Sequence, residues 1–315
     1  MVADALLMPI APVESGVADH GISAFVPSLP AAEGFACLLG DALAQVWRTL
    51  DAASAADIEG IHHLRVGVRR GRAILALFKP LLIASAAERF DERLQAAGRI
   101  FGAARDWDVF VTETLPQAGK DGVTAAVIDA LTDATRVPRA KAHSGLQREL
   151  GGGGFLLLLA GLTAWADDGR ASPALLGGHE MAAAMADIGP KLMARLQRRM
   201  TKRAKRLRQA AIPDLHRLRK AVKTYRYAAE GVGPAYPRKS VKAAIRAAKE
   251  LQDLLGGVND AAAIAALTHE AGIDASSELA PALAALRVWA EQRSADARTD
   301  VPKAWHALRD AAAFW

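Results

Sequence analysis

Cysteine is almost absent from this sequence. One residue in 315, Cys37, carries a thiol, so an intramolecular disulfide is excluded and a reducing compartment is expected. Aromatic residues make up only 5% of the chain, which gives base stacking in a nucleic-acid site little support. Motifs of common enzymes and metal sites are missing as well, among them HExxH, paired CxxC, the P-loop and the glycine-rich dinucleotide loop. We therefore expect no catalytic residue, no metal and no cofactor, and a protein that is not an enzyme.

Long apolar runs are also missing. The longest, at 155–166, has 12 residues, whereas a helix needs about 20 to span a bilayer, so we interpret it as a core helix. The first residues lack a basic start and contain Asp4, which is not typical of a secretory signal. We expect a cytoplasmic protein without membrane insertion.

The sequence is rich in alanine and leucine. Apolar residues make up 51% of it, and β-branched residues rarely cluster, a composition that favours helices. We predict an all-α fold. Residues 1–30 contain four prolines and no helical period, which predicts a flexible or weakly docked leader. Over 31–315, helical patterns alternate with Gly/Pro breaks.

An internal repeat appears when the chain is shifted by 154 residues. The segment "IHHLRVGVRR" from Ile61 then lies on "LHRLRKAVKT" from Leu215, and "FGAARDWD" from Phe101 lies on "LGGVNDAA" from Leu255. Two motifs some 40 residues apart keep one offset without a gap, which indicates a duplication. The repeats would cover about 31–170 and 184–315, each forming a four-helix-type bundle.

The repeated helix sets a row of cations beside an apolar seam. The predicted seams are Ile61, Leu64, Val68, Gly71, Leu75 and Phe78 in the first copy, and Leu215, Leu218, Val222, Tyr225, Ala229 and Val232 in the second. About 100° around each axis lie His62, Arg65, Arg69, Arg72 and Lys79, and then His216, Arg219, Lys223 and Arg226. A basic run is usually a solvated face. Here cations at spacings of three and four repel one another without acids at i+4, so an anion or a distant carboxylate is expected to compensate them.

Two further basic segments extend this pattern. The stretch 191–208 is predicted to be one helix with Leu192, Leu196, Met200 and Leu207 buried and a row of Arg195, Arg198, Lys202 and Lys205. The stretch 238–249 supplies Lys242, Arg246 and Lys249 at helical spacing, whereas its equivalent in the first repeat mixes in acids. Asp106 and Asp260 are interpreted as helix caps or arginine partners, with metal ligation as the alternative.

These motifs together resemble the CHAD domain, the conserved histidine α-helical domain. The resemblance covers nearly everything from about Ala31 to Trp315 and implies two pseudo-twofold-related helical bundles with a basic channel or cleft between them. It also implies binding of inorganic polyphosphate and association with polyphosphate granules and their proteins. The implied site residues are His62, Arg65, Arg69, Arg70 and Arg72, and in the second repeat His216, Arg219, Lys220, Lys223, Arg226 and Tyr227. Gly67 and Gly71, which weaken the first helix, and Asn259, which stands at the position equivalent to Arg105, depart from the pattern.

Three functions remain open from sequence. The first is non-catalytic polyphosphate binding, in which the ligand would raise the pKa values of His62 and His216 and favour mildly acid pH. The second is sequence-independent binding of nucleic acid through the same cations. The third, an enzyme acting on phosphoanhydrides, would need a metal-binding carboxylate cluster that the sequence does not suggest.

Overall fold

The fold consists of helices joined by short breaks. The computed structural model describes residues 26–205, 207–270 and 278–315, so most of the predicted leader and position 206 of a predicted basic helix lie outside the described residues. The helices are α1 (Ala31–Ser54), α2 (Ile58–Phe78), α3 (Ala84–Val109), α4 (Leu115–Lys120), α5 (Ala125–Gly151), α6 (Gly154–Ala171), α7 (Met185–Arg203), α8 (Ile212–Val232), α9 (Arg238–Glu270) and α10 (Ala280–Ala311). A π-helical turn, Phe110–Thr114, joins α3 to α4. The described residues contain no β-strand, and the predicted all-α class is confirmed.

The two helices that carry the repeated motif have the same length but begin differently. Each has 21 residues. The Asp57 carboxylate accepts a hydrogen bond of 2.5 Å from the backbone N–H of Gly60, which caps the start of α2. α8 instead starts with Pro213 in its first turn, where the missing N–H costs nothing.

The predicted apolar seams of α2 and α8 are buried. All six seam residues of α2 and all six of α8 lie in the interior. Among them, Phe78 packs edge-on against Phe35 of α1, and the Tyr225 hydroxyl donates a 2.7 Å hydrogen bond to the carbonyl of Ala312. Burial of these seams fixes the rotation of each helix, and therefore the direction in which its cations point.

Glycine lets α2 lie unusually close to α1. A Cβ on Gly67 would come within 2.7 Å of a Val46 methyl group and 3.2 Å of the Ala42 carbonyl oxygen. The sequence suggested that Gly67 weakens this helix. The structure adds a packing reason for it, because only a residue without a side chain allows this helix-to-helix distance.

The predicted basic helix over 191–208 ends early, so its bounds were wrong. α7 ends at Arg203, where the N–H of Ala204 bonds back to the last turn. The chain then turns towards α8 through a short 3-10 segment, Leu207–Gln209. Lys205 therefore follows the helix and does not continue its row of cations. The turn is required because α7 and α8 pack on each other as sequential neighbours.

One apolar core runs through both halves of the chain, α1–α6 and α7–α10. It contains buried residues of every helix except α4, and a smaller cluster joins the end of α3, α4 and α5 to α9 and α10. The predicted core helix at 155–166 belongs to it through Phe155, Leu158, Leu159 and Leu162. No single described helix is long and apolar enough to cross a membrane, and α5 with α6 meets the length and composition requirement only as a pair bent by 52°.

The helix bounds follow the 154-residue offset found in the sequence. α1, α2 and α3 each begin 154 residues before α7, α8 and α9. The segments ahead of α1 and α7 pair with each other, since Ala31 N–H donates to the Ala183 carbonyl and Met185 N–H donates to the Leu29 carbonyl, both at 2.8 Å. The two donors, Ala31 and Met185, are 154 residues apart, and so are the two acceptors, Leu29 and Ala183. Exchanging the two halves of the chain therefore turns each hydrogen bond into the other.

Replacing Gly60 by alanine tests the close packing of α1 and α2. A Cβ at Gly60 would lie 2.7–2.8 Å from the Cβ and carbonyl carbon of Ala52 and the nitrogen of Ala53. Backbone atoms cannot move aside, so we expect the free energy of unfolding in urea to fall by about 1–3 kcal/mol. Gly40→Ala in α1 is the matched control, because its Cβ would meet nothing within 4 Å, and it should be neutral or stabilising by up to ~1 kcal/mol. Equal stabilities of the two variants would contradict the packing argument.

Candidate functional site

The cation rows of α2 and α8 meet where these two helices pack against each other. Their central members influence one another electrostatically across the helix pair: Arg69 lies near Arg219 and Arg226, and Lys223 lies near Arg65 and Arg69. We call this group the central basic cluster. Its members are Arg65, Arg69, Arg219, Lys223 and Arg226. Two rows that the sequence places 154 residues apart therefore form one site.

Partial burial makes this cluster electrostatically strained. Desolvation, followed by the neighbouring cations, lowers the pKa of Lys223 to about 7. Desolvation also lowers the pKa values of Arg69 and Arg219. Arg69 is held in place by a 3.2 Å bond from its Nε to the carbonyl of Arg65. The Arg69 guanidinium is thus fixed in position, partly removed from water and close to like charges. An anion would stabilise this arrangement.

Two aspartates lie at equivalent places beside the cluster. Asp106 forms a 3.0 Å ion pair with Arg65, which confirms the interpretation of Asp106 as an arginine partner. Asp260 lies close enough to Arg219 to be affected by its charge, although burial is the larger influence and raises the pKa of Asp260. Neither aspartate caps a helix, since both lie within α3 or α9.

Two outer members of the first row are bound by carboxylates of α3. Arg72 forms a two-pronged contact with Asp91 at 2.7 and 3.1 Å, and Lys79 pairs with Glu88 at 3.0 Å. These two carboxylates compensate cations that have no acid at i+4 on their own helix. Arg72 and Lys79 are therefore directed towards α3 and away from the central basic cluster.

Glu230 connects the two helices. It accepts from Arg226 on its own helix and from Arg70 of α2, the latter at 3.5 Å. Arg70 also donates to the Gln45 side chain at 2.8 Å. This places Arg70 at the edge of the helix pair, where it contributes to α2–α8 packing.

Three cations of the cluster have no ion pair. In the described parts of the chain, no carboxylate lies within ion-pair distance of Arg69, Arg219 or Lys223. Arg219 does donate to a backbone oxygen, that of Gln252, at 3.4 Å. The cluster consequently keeps an excess of positive charge after all its internal contacts are formed.

Both predicted histidines flank the cluster. His62 and His216 are half-buried, and desolvation is the main cause that lowers the pKa of each ring. Nearby cations lower it further, Arg105 for His62 and Lys220 for His216. Both rings therefore take up a proton less readily than an ordinary histidine, and a bound anion would favour their protonated form.

Neither tyrosine of the second motif is available for stacking. Tyr225 is fully buried, and Tyr227 is 6% exposed with the Arg226 guanidinium 4.4 Å from its ring centre. Tyr227 thus supports the position of Arg226. A planar base would find no free ring here.

The other predicted cations lie elsewhere. Arg195 donates to the carbonyls of Ala76 and Leu77, the latter at 3.0 Å, and so satisfies the last turn of α2. In the described residues, no hydrogen bond or ion pair joins the remaining predicted cations to the central basic cluster. They are exposed and consist of Arg198, Lys202 and Lys205 in or after α7, Lys220 on α8, and Lys242, Arg246 and Lys249 on α9.

The sequence interpretation assigned no contact to a buried carboxylate of α3. Asp108 is fully buried and receives both Arg139, at 2.9 Å, and His143, at 2.8 Å, from α5. The sequence offered no signal for this contact, because Asp108 lies more than 30 residues before Arg139 and His143. Asp108 also has no equivalent in the second repeat. It holds α3 to α5. The described residues contain no group of three or more His, Cys, Asp or Glu side chains placed to bind a metal ion.

Comparison with known proteins adds an independent observation. The model of the CHAD domain family matches residues 37–269. A crystal structure of the CHAD domain from the plant Ricinus communis is similar over 90% of this chain and 94% of that one, with a TM-score of 0.76 and 29% identity. PptA from Streptomyces chartreusis shares the fold at 21% identity and a TM-score of 0.59, over 90% of this chain and 99% of that one. No curated protein matches significantly.

The cost of placing Lys223 among arginines can be measured from stability. The pKa of Lys223 is about 7 in the folded protein against 10.5 for an ordinary lysine, so above pH 7 the unfolded chain binds a proton that the folded chain does not. Folding stability should therefore rise with pH in this range. Between about pH 7 and pH 9 the wild type should gain roughly 2 kcal/mol relative to Lys223→Met in urea unfolding. Parallel curves for the two proteins would show that Lys223 is not perturbed.

Proposed function

Because the chain belongs to the CHAD domain family, which is associated with polyphosphate binding, we propose that it binds inorganic polyphosphate without altering it chemically. The observation that carries the proposal is the convergence of α2 and α8 cations in the central basic cluster. Three of them, Arg69, Arg219 and Lys223, keep no ion pair in the described residues. A bound polyanion would supply the missing negative charge.

The shape of the cluster favours a thin ligand. Its cations lie between two packed helices and are half-buried, so the ligand must approach closely from a narrow direction. Arginine gives forked contacts to phosphate oxygens, and lysine supplies a point charge. A flexible chain of phosphates meets these conditions, whereas bases would require the aromatic surface that Tyr225 and Tyr227 do not offer. Nucleic acid is therefore the competitor in the tests below.

We extend the proposal to the architecture of the site. The 154-residue offset of the helices, and the pair of hydrogen bonds that it exchanges, support a duplication with a pseudo-twofold axis between Pro30 and Ala184. The axis would relate α2 and α3 to α8 and α9. In this arrangement the two helix pairs form opposite walls of a basic channel or cleft, and each wall provides one arginine that contacts the next helix, Arg65 or Arg219.

A binding role without catalysis fits the chemistry of the cluster. The carboxylates beside it, Asp106 and Asp260, each face an arginine, and His62 and His216 lie among cations. We propose that the protein acts in the cytoplasm at polyphosphate granules, with granule proteins as further partners. Fluorescent tagging in cells grown with and without polyphosphate synthesis would show whether the protein follows the granules.

The binding proposal is tested by replacing unpaired cluster cations. Arg69→Ala with Arg219→Ala should weaken retention of long-chain polyphosphate by at least about tenfold, because each charge-assisted hydrogen bond contributes about 1.5–3 kcal/mol. The slope of log affinity against log salt should also fall by about 0.7 per lost phosphate contact, the value for single-stranded nucleic acids.

A matched control replaces two exposed arginines of α5, Arg136→Ala with Arg148→Ala. This variant should bind as the wild type does, and thermal melting should show that both variants fold. Competition with DNA at equal phosphate concentration completes the test. If DNA displaces polyphosphate as well as polyphosphate itself does, the nucleic-acid alternative is favoured and the proposal fails.

The pH dependence of binding should have two separable parts. A bound polyanion raises the pKa of Lys223 from about 7 towards its usual value, so affinity should fall by up to about tenfold per unit as pH rises from about 7 to 9. Lys223→Arg keeps its charge and should remove this fall. His62→Ala with His216→Ala should remove only the strengthening below about pH 6.5. Affinity measured by titration calorimetry across this range decides both points, and a fall above pH 7 that survives in Lys223→Arg would refute the role of Lys223.

A further inference from the structure

α3 and α9 present the same face to their neighbours. The buried residues Ala87, Leu94, Ala97, Phe101 and Ala104 of α3 lie 154 positions before Val241, Ala248, Leu251, Leu255 and Val258, which are buried in α9. Equal burial at equal offset means that the two helices have the same rotation relative to the core. Exposed positions at this offset can therefore be compared one to one.

Such a comparison shows an inversion of charge along one exposed row. The row on α3 is Glu88, Glu92, Gln95 and Arg99, and the row on α9 is Lys242, Arg246, Lys249 and Asp253. The two glutamates of the α3 row correspond to a lysine and an arginine in the α9 row. At the last position the signs are reversed, with an arginine on α3 and an aspartate on α9. All eight side chains are exposed, so packing does not explain the difference.

The two rows also differ in the ion pairs and hydrogen bonds that they form with neighbouring side chains. On the α3 side, Glu88 pairs with Lys79, and Gln95 joins Asp91 in binding Arg72, with Gln95 Oε1 3.3 Å from the guanidinium. Arg72 and Lys79 are thereby occupied. On the α9 side, the described residues place no carboxylate within ion-pair distance of Lys242, Arg246 or Lys249.

The three cations of the α9 row start one helical turn from a residue that contacts the central basic cluster. Gln252 accepts from Arg226 through its side chain at 3.1 Å and from Arg219 through its backbone at 3.4 Å. Lys249 lies one helical turn before Gln252, and Lys242 lies about 10 Å further along the axis at 1.5 Å per residue. The unpaired cations thus extend from the cluster along α9 in one direction.

Two carboxylates lie close to the three cations of this row. Glu250 and Asp253 line a groove of about 520 Å³ together with Arg246, Lys249 and Arg293 of α10. They lower the local excess of charge without forming an ion pair to the row. A ligand that follows the row from Gln252 therefore passes Asp253 before it reaches the three cations, and Glu250 lies beside Lys249 and Arg246.

We infer that a long polyanion leaves the central basic cluster over α9 and not over α3, so that the α9 row makes the protein bind long chains more tightly than short ones. This inference rests on the proposed function. The cluster holds a short segment of any chain, and the α9 row adds contacts only to chains long enough to reach it. On α3 the equivalent positions offer such a chain two acids and a glutamine, with Arg99 as the single cation of that row.

The test exchanges the row for its first-half equivalent. The variant Lys242→Glu, Arg246→Glu, Lys249→Gln gives α9 the residues of α3. Its affinity for long-chain polyphosphate should fall by at least about tenfold, and its salt slope should fall by about 2, as three contacts at about 0.7 each would give. Its affinity for tripolyphosphate should stay within about twofold of the wild type.

A control with the same change of formal charge is available on α5. The variant Arg136→Glu, Lys141→Glu, Arg148→Gln alters three exposed cations there and should keep the length preference. The reciprocal variant Glu88→Lys, Glu92→Arg, Gln95→Lys should strengthen binding of long chains.

The outcomes separate this inference from the proposed function. If the wild type binds neither polyphosphate, the proposed function fails. If the wild type binds both and Arg69→Ala with Arg219→Ala loses both, but the α9 variant equals the α5 control, the inference is overturned and the row is only a solvated surface. A loss confined to long chains in the α9 variant supports it.

Discussion

Repulsion between cations on two packed helices is the constraint on which this structure depends. α2 and α8 hold arginines and a lysine together between them, partly removed from water, at a distance where like charges destabilise each other. Such an arrangement persists only if something else fixes the helices. The buried seams do this, and the single apolar core that crosses both halves supplies the favourable burial. The site is thus strained locally and supported by everything around it.

Internal carboxylates reduce the strain without removing it. Asp106 and Glu230 satisfy Arg65, Arg70 and Arg226, whereas Arg69 has no such partner. This partial balance suits the binding role that we propose, because full neutralisation would leave no repulsion for a ligand to relieve. Without any neutralisation, the repulsion would lower the stability of a fold that is only marginally stable.

The sequence predicted what depends on local periodicity. Both seams and the rotation of α2 and α8 followed from residues at spacings of three and four, because burial of an apolar stripe fixes a helix. Pairing with an arginine of the row was one of the interpretations of Asp106 from the sequence, and the structure identifies this arginine as Arg65. The end of α7, the capping role of Arg195 and the contact of Asp108 with His143 could not be predicted, since each depends on a helix that is distant in the sequence. The sequence explained Gly67 only in part, because its role is to let α1 pack close to α2.

The paired segments ahead of α1 and α7 have a consequence for the origin of the fold. Ala31 donates to Ala183 and Met185 donates to Leu29 at the same distance, and each bond becomes the other when the halves are exchanged. A contact with this property is isologous, the kind by which two identical subunits close into a dimer. Under the duplication that we propose, two separate half-length chains would pair through the same two bonds, and gene fusion would join an assembly that was already complete.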